Sequence, residues 1–462
     1  MATTTTVTEP IEAIELSHPG NKHSEPSPRT DEPTTPSRSD RFDRATYLKL
    51  ISAGFSFFVA GVNDGSLGAL IPYLIREYAV STAIVSSVYG ATFAGWLTSA
   101  LTNTHLSQSL DLGAMLALGA AVQILAHALR AWDPPFALFV VTFWFASLGQ
   151  AYQDTHGNTY VAGVKGAHRW LAFIHAMYMA GCLVGPFVST AVASVGATSK
   201  WYLFYTVPLG IGVANLALVL VAFRDTLRFK KAAPVTSDEA EPGSGNVTST
   251  EESETREISR NKGAMMLIKE TARLPSVWLL STFFFFYLGA VLTASGWVVE
   301  YLVDVRQGSL SQMGYVPAGF NGGALLGRLL LAEPTHRFGA RRMVLGYVLI
   351  SIALQLVFWL VPNIIAASIA VSFIGFFTGP LFATGLDQSS SRRISIRTAL
   401  ALLFVVAQMG GSLFPVITGV IASNVGVKVL QPILIALLAG TAISWMLVPR
   451  PKKSGNAELH QE

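Results

Sequence analysis

Two carboxylic acids, Asp64 and Asp154, lie inside stretches that are apolar enough to cross a membrane. Asp64 is in FVAGVNDGSLGALIPYL and Asp154 is in FWFASLGQAYQDTHGNTYVAGV. Burying a charge at the centre of a bilayer costs about 2.5 kcal/mol or more, so such acids are usually kept to bind a substrate, carry a proton or line a water-filled path. The two acids therefore indicate transport. The alternative is that each acid only hydrogen-bonds a neighbouring helix.

The polar neighbours of these acids follow helical spacing. Gln150, Asp154 and Asn158 are four residues apart, which places them on one stripe of a helix. Asn63 and Asp64 stand together on the first span. An amide–acid–amide stripe cannot face lipid, so we expect it to face the interior of a helix bundle, with no buried Lys or Arg near mid-span to neutralise the acids. We predict that Asp154 and Asp64 couple protons, and that Asn63, Asp64, Gln150 and Asn158 bind a solute.

Other polar and aromatic residues are weaker candidates for contact with a solute. They are His175 and Tyr178 on the fifth span, Trp297 and Tyr301 on the seventh, Asn321 on the eighth and Gln408 on the eleventh. The alternative for the histidine and the aromatic residues is helix packing, which is the commoner use of such side chains. We expect no metal, because no set of residues has the spacing of a metal motif. Cys182 is the one cysteine, so no intrachain disulfide can form.

Basic residues cluster at the end of the eighth span and in the loop that follows it. Arg328, Arg337, Arg341 and Arg342 can hold helix ends in one conformation by pairing charges at the cytoplasmic face, so we predict a gating role for them. The alternative is that they are ordinary cytoplasmic-side charges.

The composition is that of a membrane protein. Hydrophobic residues make up 51% of the 462 residues and charged residues 13%, and the mean hydropathy is +0.46. The apolar residues fall into blocks long enough to span a bilayer as helices. We predict twelve spans, at about 47–75, 81–104, 111–131, 136–163, 169–195, 202–223, 276–303, 311–333, 342–361, 364–388, 397–424 and 428–448.

The distribution of Lys and Arg predicts the orientation. With both termini in the cytoplasm, 27 of the 32 basic residues fall on the cytoplasmic side and 5 fall outside. The outer set is Arg76, Arg130, Lys200, Arg306 and Lys428. This split follows the positive-inside rule and requires an even number of spans. The basic pI of about 9.1 therefore reflects membrane topology, and we expect no nucleic-acid partner.

The two apolar blocks are nearly equal in length and carry a weak repeat. GCLVGPFVSTAVAS at 181–194 aligns without gaps on GGSLFPVITGVIAS at 410–423. We predict a six-helix bundle at 45–223 and a second one at 275–449. They are joined by a polar cytoplasmic linker at 224–274 and flanked by a disordered N-terminal arm at 1–44 and a cytoplasmic tail at 450–462. The predicted fold is therefore an all-α membrane protein with twelve transmembrane helices in two pseudo-symmetric six-helix bundles, the plan of major facilitator transporters.

Several motifs resemble the fucose–proton symporter branch of the major facilitator superfamily, and most closely its fungal members. They are GVNDGSLGALIPYL, LGQAYQDTHGN, FIHAMYMAGCLVGPF, GFNGGALLGRLLLA, GFFTGPLF and QMGGSLFPVITGVIA. The resemblance covers nearly all of 47–448 and implies that Asp64 binds substrate and Asp154 carries the proton. Two departures lie in the C-terminal half. Gly289-Ala290-Val291 replaces a stretch that often holds an acid, and Ala383 replaces a proline that often follows GPLF.

These observations predict a secondary active transporter, coupled to protons, for a sugar or similar small polar solute. The alternatives are an efflux transporter of a small metabolite and a non-transporting nutrient sensor on the same scaffold. We expect no enzyme activity, because no nucleophile–base pair or phosphate loop is present. We also expect no cofactor besides the coupling proton. The predicted partners are the solute and the lipid bilayer, and we expect a monomer. The predicted location is the plasma membrane as a multi-pass protein with both termini cytoplasmic, and the alternative is the vacuolar membrane.

Overall fold

The computed structural model describes residues 43–196, 198–229, 273–390 and 396–449, with the backbone alone for 386–390 and 396–402. The predicted arm and tail and most of the predicted linker lie outside the described residues. Twelve long helices dominate the described part of the chain. They are α1 (Arg44–Glu77), α2 (Ser87–Ser109), α3 (Leu112–Arg130), α4 (Phe136–Ala162), α5 (Ala167–Ala193), α6 (Thr206–Ala222), α7 (Pro275–Asp304), α8 (Val316–Leu330), α9 (Ala340–Leu360), α10 (Ile364–Thr378), α11 (Ile396–Val425) and α12 (Leu430–Leu447).

Short helical segments extend or connect these helices. They are Thr82–Val85 before α2, Trp201–Tyr205 before α6, Arg224–Thr226 after α6, Leu310–Met313 before α8, Ala332–Phe338 before α9, Leu381–Ser390 after α10 and Val427–Val429 before α12. Local sequence sets several of the boundaries. The Asp111 side chain caps α3, the Asn363 side chain caps α10, and Gly339 at φ 92° separates Ala332–Phe338 from α9.

Within the described residues, ten helical stretches are long and apolar enough to cross a membrane. The other two long helices are α4 and α8. The 27 residues of α4 include Gln150, Gln153 and Asp154, which lower its hydropathy. The 15 residues of α8 are too few to span ~30 Å of hydrocarbon alone, and short helices lie on either side of it. All twelve predicted spans therefore correspond to helices.

The helices pair in the same way in both halves of the chain. In the N-terminal half α1 packs on α5 and α6, and α3 packs on α4 and α6, while α2 packs on α4. In the C-terminal half the corresponding pairs are α7 with α11 and α12, α9 with α10 and α12, and α8 with α10. This repeated pairing confirms the predicted pseudo-symmetric fold. The proposed residue bounds of the two bundles stay a prediction.

Glycines allow the closest of these pairs to form. A Cβ atom at Gly61 or Gly65 of α1 would collide with the backbone of α5, and one at Gly410 of α11 would collide with the backbone of α7. Small residues at these crossings let two helix backbones touch, which is a common basis of helix association in membranes.

The two halves make close contacts toward one membrane face. We call the face where α1 begins at Arg44 the N-terminal face, and the face where α1 ends at Glu77 the opposite face. Toward the opposite face, Gly68 of α1 lies against the α7 backbone at Ser295, and the Thr82 hydroxyl donates to the carbonyl oxygen of Gly419 at 2.8 Å. The halves are therefore in tight contact at the opposite face.

Candidate functional site

Asp64 is the centre of a hydrogen-bonded cluster between α1, α4 and α5. Its Oδ1 accepts from Asn63 Nδ2 at 3.0 Å. Its Oδ2 accepts from Gln150 Nε2 at 2.8 Å and from the Tyr178 hydroxyl at 3.0 Å. All three partners donate, so Asp64 acts purely as an acceptor, as an ionised carboxylate does. Four of the predicted site residues are thereby brought together.

Asp154 lies one helical turn along α4 from Gln150 and has a different environment. Its side chain is half-buried and makes no hydrogen bond in the part of the chain that the structure describes. It is close enough to Asp64 for the two acids to interact electrostatically. Asn158 turns its amide back to the main-chain oxygen of Asp154 at 2.9 Å, so this amide leaves the acid itself free for water, a proton or a solute.

Arg130 was expected among the charges outside the membrane, and that expectation is wrong. It is the last residue of α3 and is fully buried. Its Nη1 donates to Asn63 Oδ1 at 2.8 Å and its Nε donates to Thr142 Oγ1 at 2.6 Å. The centre of the Phe143 ring is 3.7 Å from its Cζ, within range of a cation–π interaction. The expectation of no buried Lys or Arg near mid-span overlooked this residue at a helix end, where Asn63 alone separates Arg130 from Asp64.

His175 lies on α5 between the two halves. Its ring packs edge-on against Phe57 at 5.5 Å between centroids, and it lies 6.3 Å from the Phe382 ring of the segment after α10. The ring is half-buried. These contacts place His175 at the interface of the halves, and its predicted contact with a solute stays a prediction.

Most of the residues predicted to contact a solute in the C-terminal half bond to or pack against other parts of the protein. The Trp297 indole donates to the Pro415 carbonyl oxygen at 3.0 Å, and Tyr301 packs against Phe358 at 5.3 Å. Asn321 Nδ2 donates to the main-chain oxygen of Cys182 in α5 at 2.9 Å, so it joins the two halves. Gln408 is half-buried on α11. In this conformation the two aromatic residues serve helix packing, and the solute contacts proposed for this half stay predictions.

The four predicted gating arginines lie at the N-terminal face. Arg328 Nε donates to the Gly379 carbonyl oxygen at 3.1 Å, Arg337 pairs with Glu333 at 2.5 Å, and the two Nη atoms of Arg341 donate to the Met446 and Val448 carbonyl oxygens at 2.6 and 2.7 Å. Arg342 is exposed. Among the described residues these bonds stay within the C-terminal half, so the proposed pairing of charges between halves stays a prediction.

The family follows from comparison with known proteins. A family model described as Major Facilitator Superfamily matches residues 53–394. The chain belongs to the Major Facilitator Superfamily. It is therefore a multi-pass integral membrane protein of a transporter family, embedded in lipid.

Solved structures of other superfamily transporters share its fold. A bacterial homologue of the human lysosomal transporter Spinster, in an inward-facing and unoccupied conformation, superposes with a TM-score of 0.67 at 13% identity, covering 88% of this chain and 98% of that chain. The fucose:proton symporter of E. coli superposes with a TM-score of 0.59 at 15% identity, covering 88% of this chain and 100% of that chain. Identities this low show the fold alone.

One curated relative covers most of the chain. It is the Saccharomyces cerevisiae protein named "Bypass of stop codon protein 6", which is 26% identical over 425 residues, or 87% of this chain and 82% of the relative. Its name specifies no solute.

A buried chain of polar side chains links the helices beside Asp154. It was not predicted from the sequence. Gln153 Oε1 accepts from Gln123 Nε2 of α3 at 2.8 Å and from Asn215 Nδ2 of α6 at 3.2 Å. Asn215 Oδ1 accepts from the Ser56 hydroxyl of α1 at 2.8 Å. The chain connects four helices and holds the α4 backbone next to Asp154. Three amides in otherwise apolar spans were the sequence signal that could have revealed it.

Proposed function

We propose that this protein is a secondary active transporter that couples the movement of a sugar, or a similar small polar solute, to a proton by alternating access. The observation that carries the proposal is the contrast between the two acids. Asp64 accepts three hydrogen bonds, whereas the Asp154 carboxyl makes none among the described residues. Two nearby acids in such different surroundings are suited to two different tasks.

Asp154 is suited to carry the proton. A carboxyl group that is partly shielded from water and has no partner is tolerated best when it is neutral, so the protonated acid can persist while the site is closed to water. When the site opens to a less acidic compartment, water enters and accepts the proton, leaving a carboxylate. The cycle restores the acid when the site faces the more acidic side. No other group needs to gain or lose a proton in this cycle.

Asp64 and its donors are suited to hold the solute. A sugar hydroxyl can donate to Asp64 and accept from Gln150 or Tyr178, replacing the bonds that these side chains make with Asp64 in the empty site. The site is on the N-terminal half, and the closed contact between halves at Gly68 lies farther along α1 toward the opposite face. Separation of the halves at that contact would open the site to the opposite face.

The fold neighbours support the class of solute only loosely. The E. coli neighbour is named for fucose and a proton, but the 15% identity does not carry its substrate to this chain. An efflux transporter of a small, partly apolar metabolite is the second candidate. The case for a sugar is weakened by the fact that Trp297 and Tyr301, the aromatic pair predicted to contact the solute, are engaged in packing.

Proton movement in proteoliposomes tests the proposal. The purified protein is reconstituted and external pH is recorded as members of a panel of sugars are added. The same measurement is made on Asp64→Asn, on Asp154→Asn and on Asp133→Asn. Asp133 is exposed in the loop between α3 and α4 at φ 63°, a conformation that asparagine also tolerates, so it is a matched control.

External alkalinisation with one sugar, lost in the Asp64 and Asp154 variants and kept in the Asp133 variant, supports the proposal. Absence of proton movement with every sugar contradicts coupled sugar uptake. Efflux would then be tested with apolar metabolites, and binding without flux would indicate a sensor.

A further inference from the structure

Arg130 is a buried cation without a carboxylate bonded to it. Within the described residues its hydrogen bonds go to neutral oxygens, those of Asn63 and Thr142, and its Nη2 has no partner. Three aromatic rings surround the guanidinium. The Phe143, Tyr205 and Phe139 centroids lie 3.7, 5.1 and 5.9 Å from Cζ. A charge taken out of water in this way is strongly destabilising unless an opposite charge compensates it.

Asn63 places that opposite charge one side chain away. Its amide oxygen accepts from Arg130, and its amide nitrogen donates to Asp64. Only this orientation satisfies both neighbours, because the flipped amide would turn a donor toward the guanidinium and an acceptor toward the carboxylate. The three side chains therefore form a relay in which the amide dipole points from a cation to an anion.

The other groups around Asp64 do not supply a positive charge. Tyr178 and Cys182 face it from α5, and Gln150 and Asp154 face it from α4. Arg328 of α8 acts on Cys182, whereas Arg130 is the cation that acts on Asp64. A second anion at Asp154 would disfavour the charged form of Asp64, so the cation beyond Asn63 is what balances the site.

We propose that Arg130 is a positioning residue that keeps Asp64 ionised through Asn63, so that the coupling proton resides on Asp154 alone. The location of the proton on Asp154 rests on the proposed function, whereas the ionisation of Asp64 concerns the protein at rest. Asp64 would then be a permanent acceptor for solute hydroxyls, and one proton would accompany each transport cycle.

Infrared spectroscopy of the purified protein tests the ionisation of Asp64 without any solute. Arg130→Gln retains a neutral hydrogen-bond donor but removes the charge, and Arg130→Lys keeps the charge. Arg76→Gln removes an exposed arginine near the same membrane face and is the matched control. We expect the Arg130→Gln protein at neutral pH to gain a second band of a protonated carboxylic acid, beyond the one that Asp154 gives in every variant. Wild type, Arg130→Lys and Arg76→Gln should not show this second band. Addition of Asp64→Asn should remove that band.

A variant that breaks the hydrogen bonds of the relay without removing a charge gives a test independent of Arg130→Gln. Asn63→Leu leaves Arg130 and Asp64 in place but breaks both bonds of the amide, so it should produce the same band. This variant carries the test where Arg130→Gln fails to fold. A spectrum unchanged by either substitution, or a new band that persists in the Asp64→Asn background, overturns the inference.

Stability measurements add a second readout. The Arg130→Gln and Asp64→Asn proteins should each melt at a lower temperature than wild type, and the double variant should melt roughly 4 °C or more above the value expected from adding the two losses. Strict additivity would mean that the two charges do not interact, which contradicts the proposal.

The pH dependence of transport separates this inference from the proposed function. If Asp64 becomes protonatable in Arg130→Gln, solute uptake should acquire a second titration that Arg130→Lys does not show. If wild type moves no protons but the Asp64 band still appears in Arg130→Gln, coupled transport is refuted and the relay is retained. Proton-coupled uptake with no band in either variant refutes the relay and retains coupled transport.

Discussion

The contact at Gly68 predicts how one methyl group would shift the conformational equilibrium. A Cβ atom added there would meet the carbonyl oxygen of Ser295 and lie 3.3 Å from Cα of Gly296, both in the backbone of α7. Backbone cannot move aside as a flexible side chain can, so Gly68→Ala must push α7 away from α1. The two halves then cannot close at the opposite face as they do in this structure.

The magnitude follows from the usual cost of overpacking, about 1–3 kcal/mol. Alanine also favours the helix by about 0.5–1 kcal/mol relative to glycine, but this gain is the same in every conformation that keeps α1 helical. Only the clash changes the balance between conformations. Since about 1.4 kcal/mol is a factor of ten, the state closed at the opposite face should lose roughly 5- to 150-fold in relative population.

Accessibility of a single introduced cysteine measures this shift. Cys182 is the one native cysteine, so Cys182→Ser gives a cysteine-free background in which Ser86→Cys is introduced. Ser86 is fully buried at the start of α2, beside the Gly419 contact. A membrane-impermeant maleimide should label it slowly in the parent protein and much faster when Gly68→Ala is added.

Gly90→Ala on α2 is the matched control, because a Cβ there would meet nothing within 4 Å. It should label like the parent. Equal labelling rates in the parent and Gly68→Ala proteins would show that the glycine contact does not determine closure, and the reasoning from backbone approach would be refuted.

Three further outcomes follow from named contacts. Asp154→Asn should abolish proton-driven accumulation and spare counterflow, and accumulation unchanged against a gradient would remove the proton role of Asp154. Gln153→Leu should lower the melting temperature by roughly 5 °C or more, because it removes the acceptor shared by Gln123 and Asn215 and the donor to the Leu116 carbonyl oxygen, all in a buried setting. Unchanged melting would mean that the polar chain contributes nothing to stability. The hydrogen bond from Lys49 lowers the pKa of Asp225 below its ordinary value of 3.8, so the stabilisation that this carboxylate adds is present above that pH and is lost as pH falls through the lowered pKa. The melting-temperature gap between wild type and Asp225→Asn should be small and positive at neutral pH, since Asp225 is largely exposed, and should vanish once the pH falls below the lowered pKa of Asp225. A gap that widens on acidification would contradict this sign.

The fold was predictable because hydropathy and loop charge are averages over many residues. Each span needed only its length and composition, and the count of basic residues required an even number of spans. The pairing of helices in each half was less visible, since residues 181–194 and 410–423 are the one clear repeat. Helix pairing depends on small residues such as Gly65 and Gly410. Many different sequences supply such residues, so the pairing leaves little trace in the sequence.

The site was predictable where helical spacing alone brings residues together. Gln150 and Asp154 share a stripe because they are one turn apart, and Asn63 adjoins Asp64 in sequence. Arg130 was misplaced because a basic residue at the end of a span reads as a loop charge. The rings of Phe139 and Phe143 on α4 and of Tyr205 before α6 enclose it, and its own helix does not show this.

The two halves share a helix-pairing plan but not its chemistry. The 229-residue offset between the repeats places Asp64 on Thr293 of α7, a fully buried residue whose hydroxyl has no partner in the described part of the chain. A threonine cannot carry charge, so no cation is needed near it. On the proposed relay, Arg130 is therefore required by Asp64 and not by the fold. With both residues on one half, that half would keep its charge balance while the other half moves against it, so the proposed site could open to either face without separating the two charges.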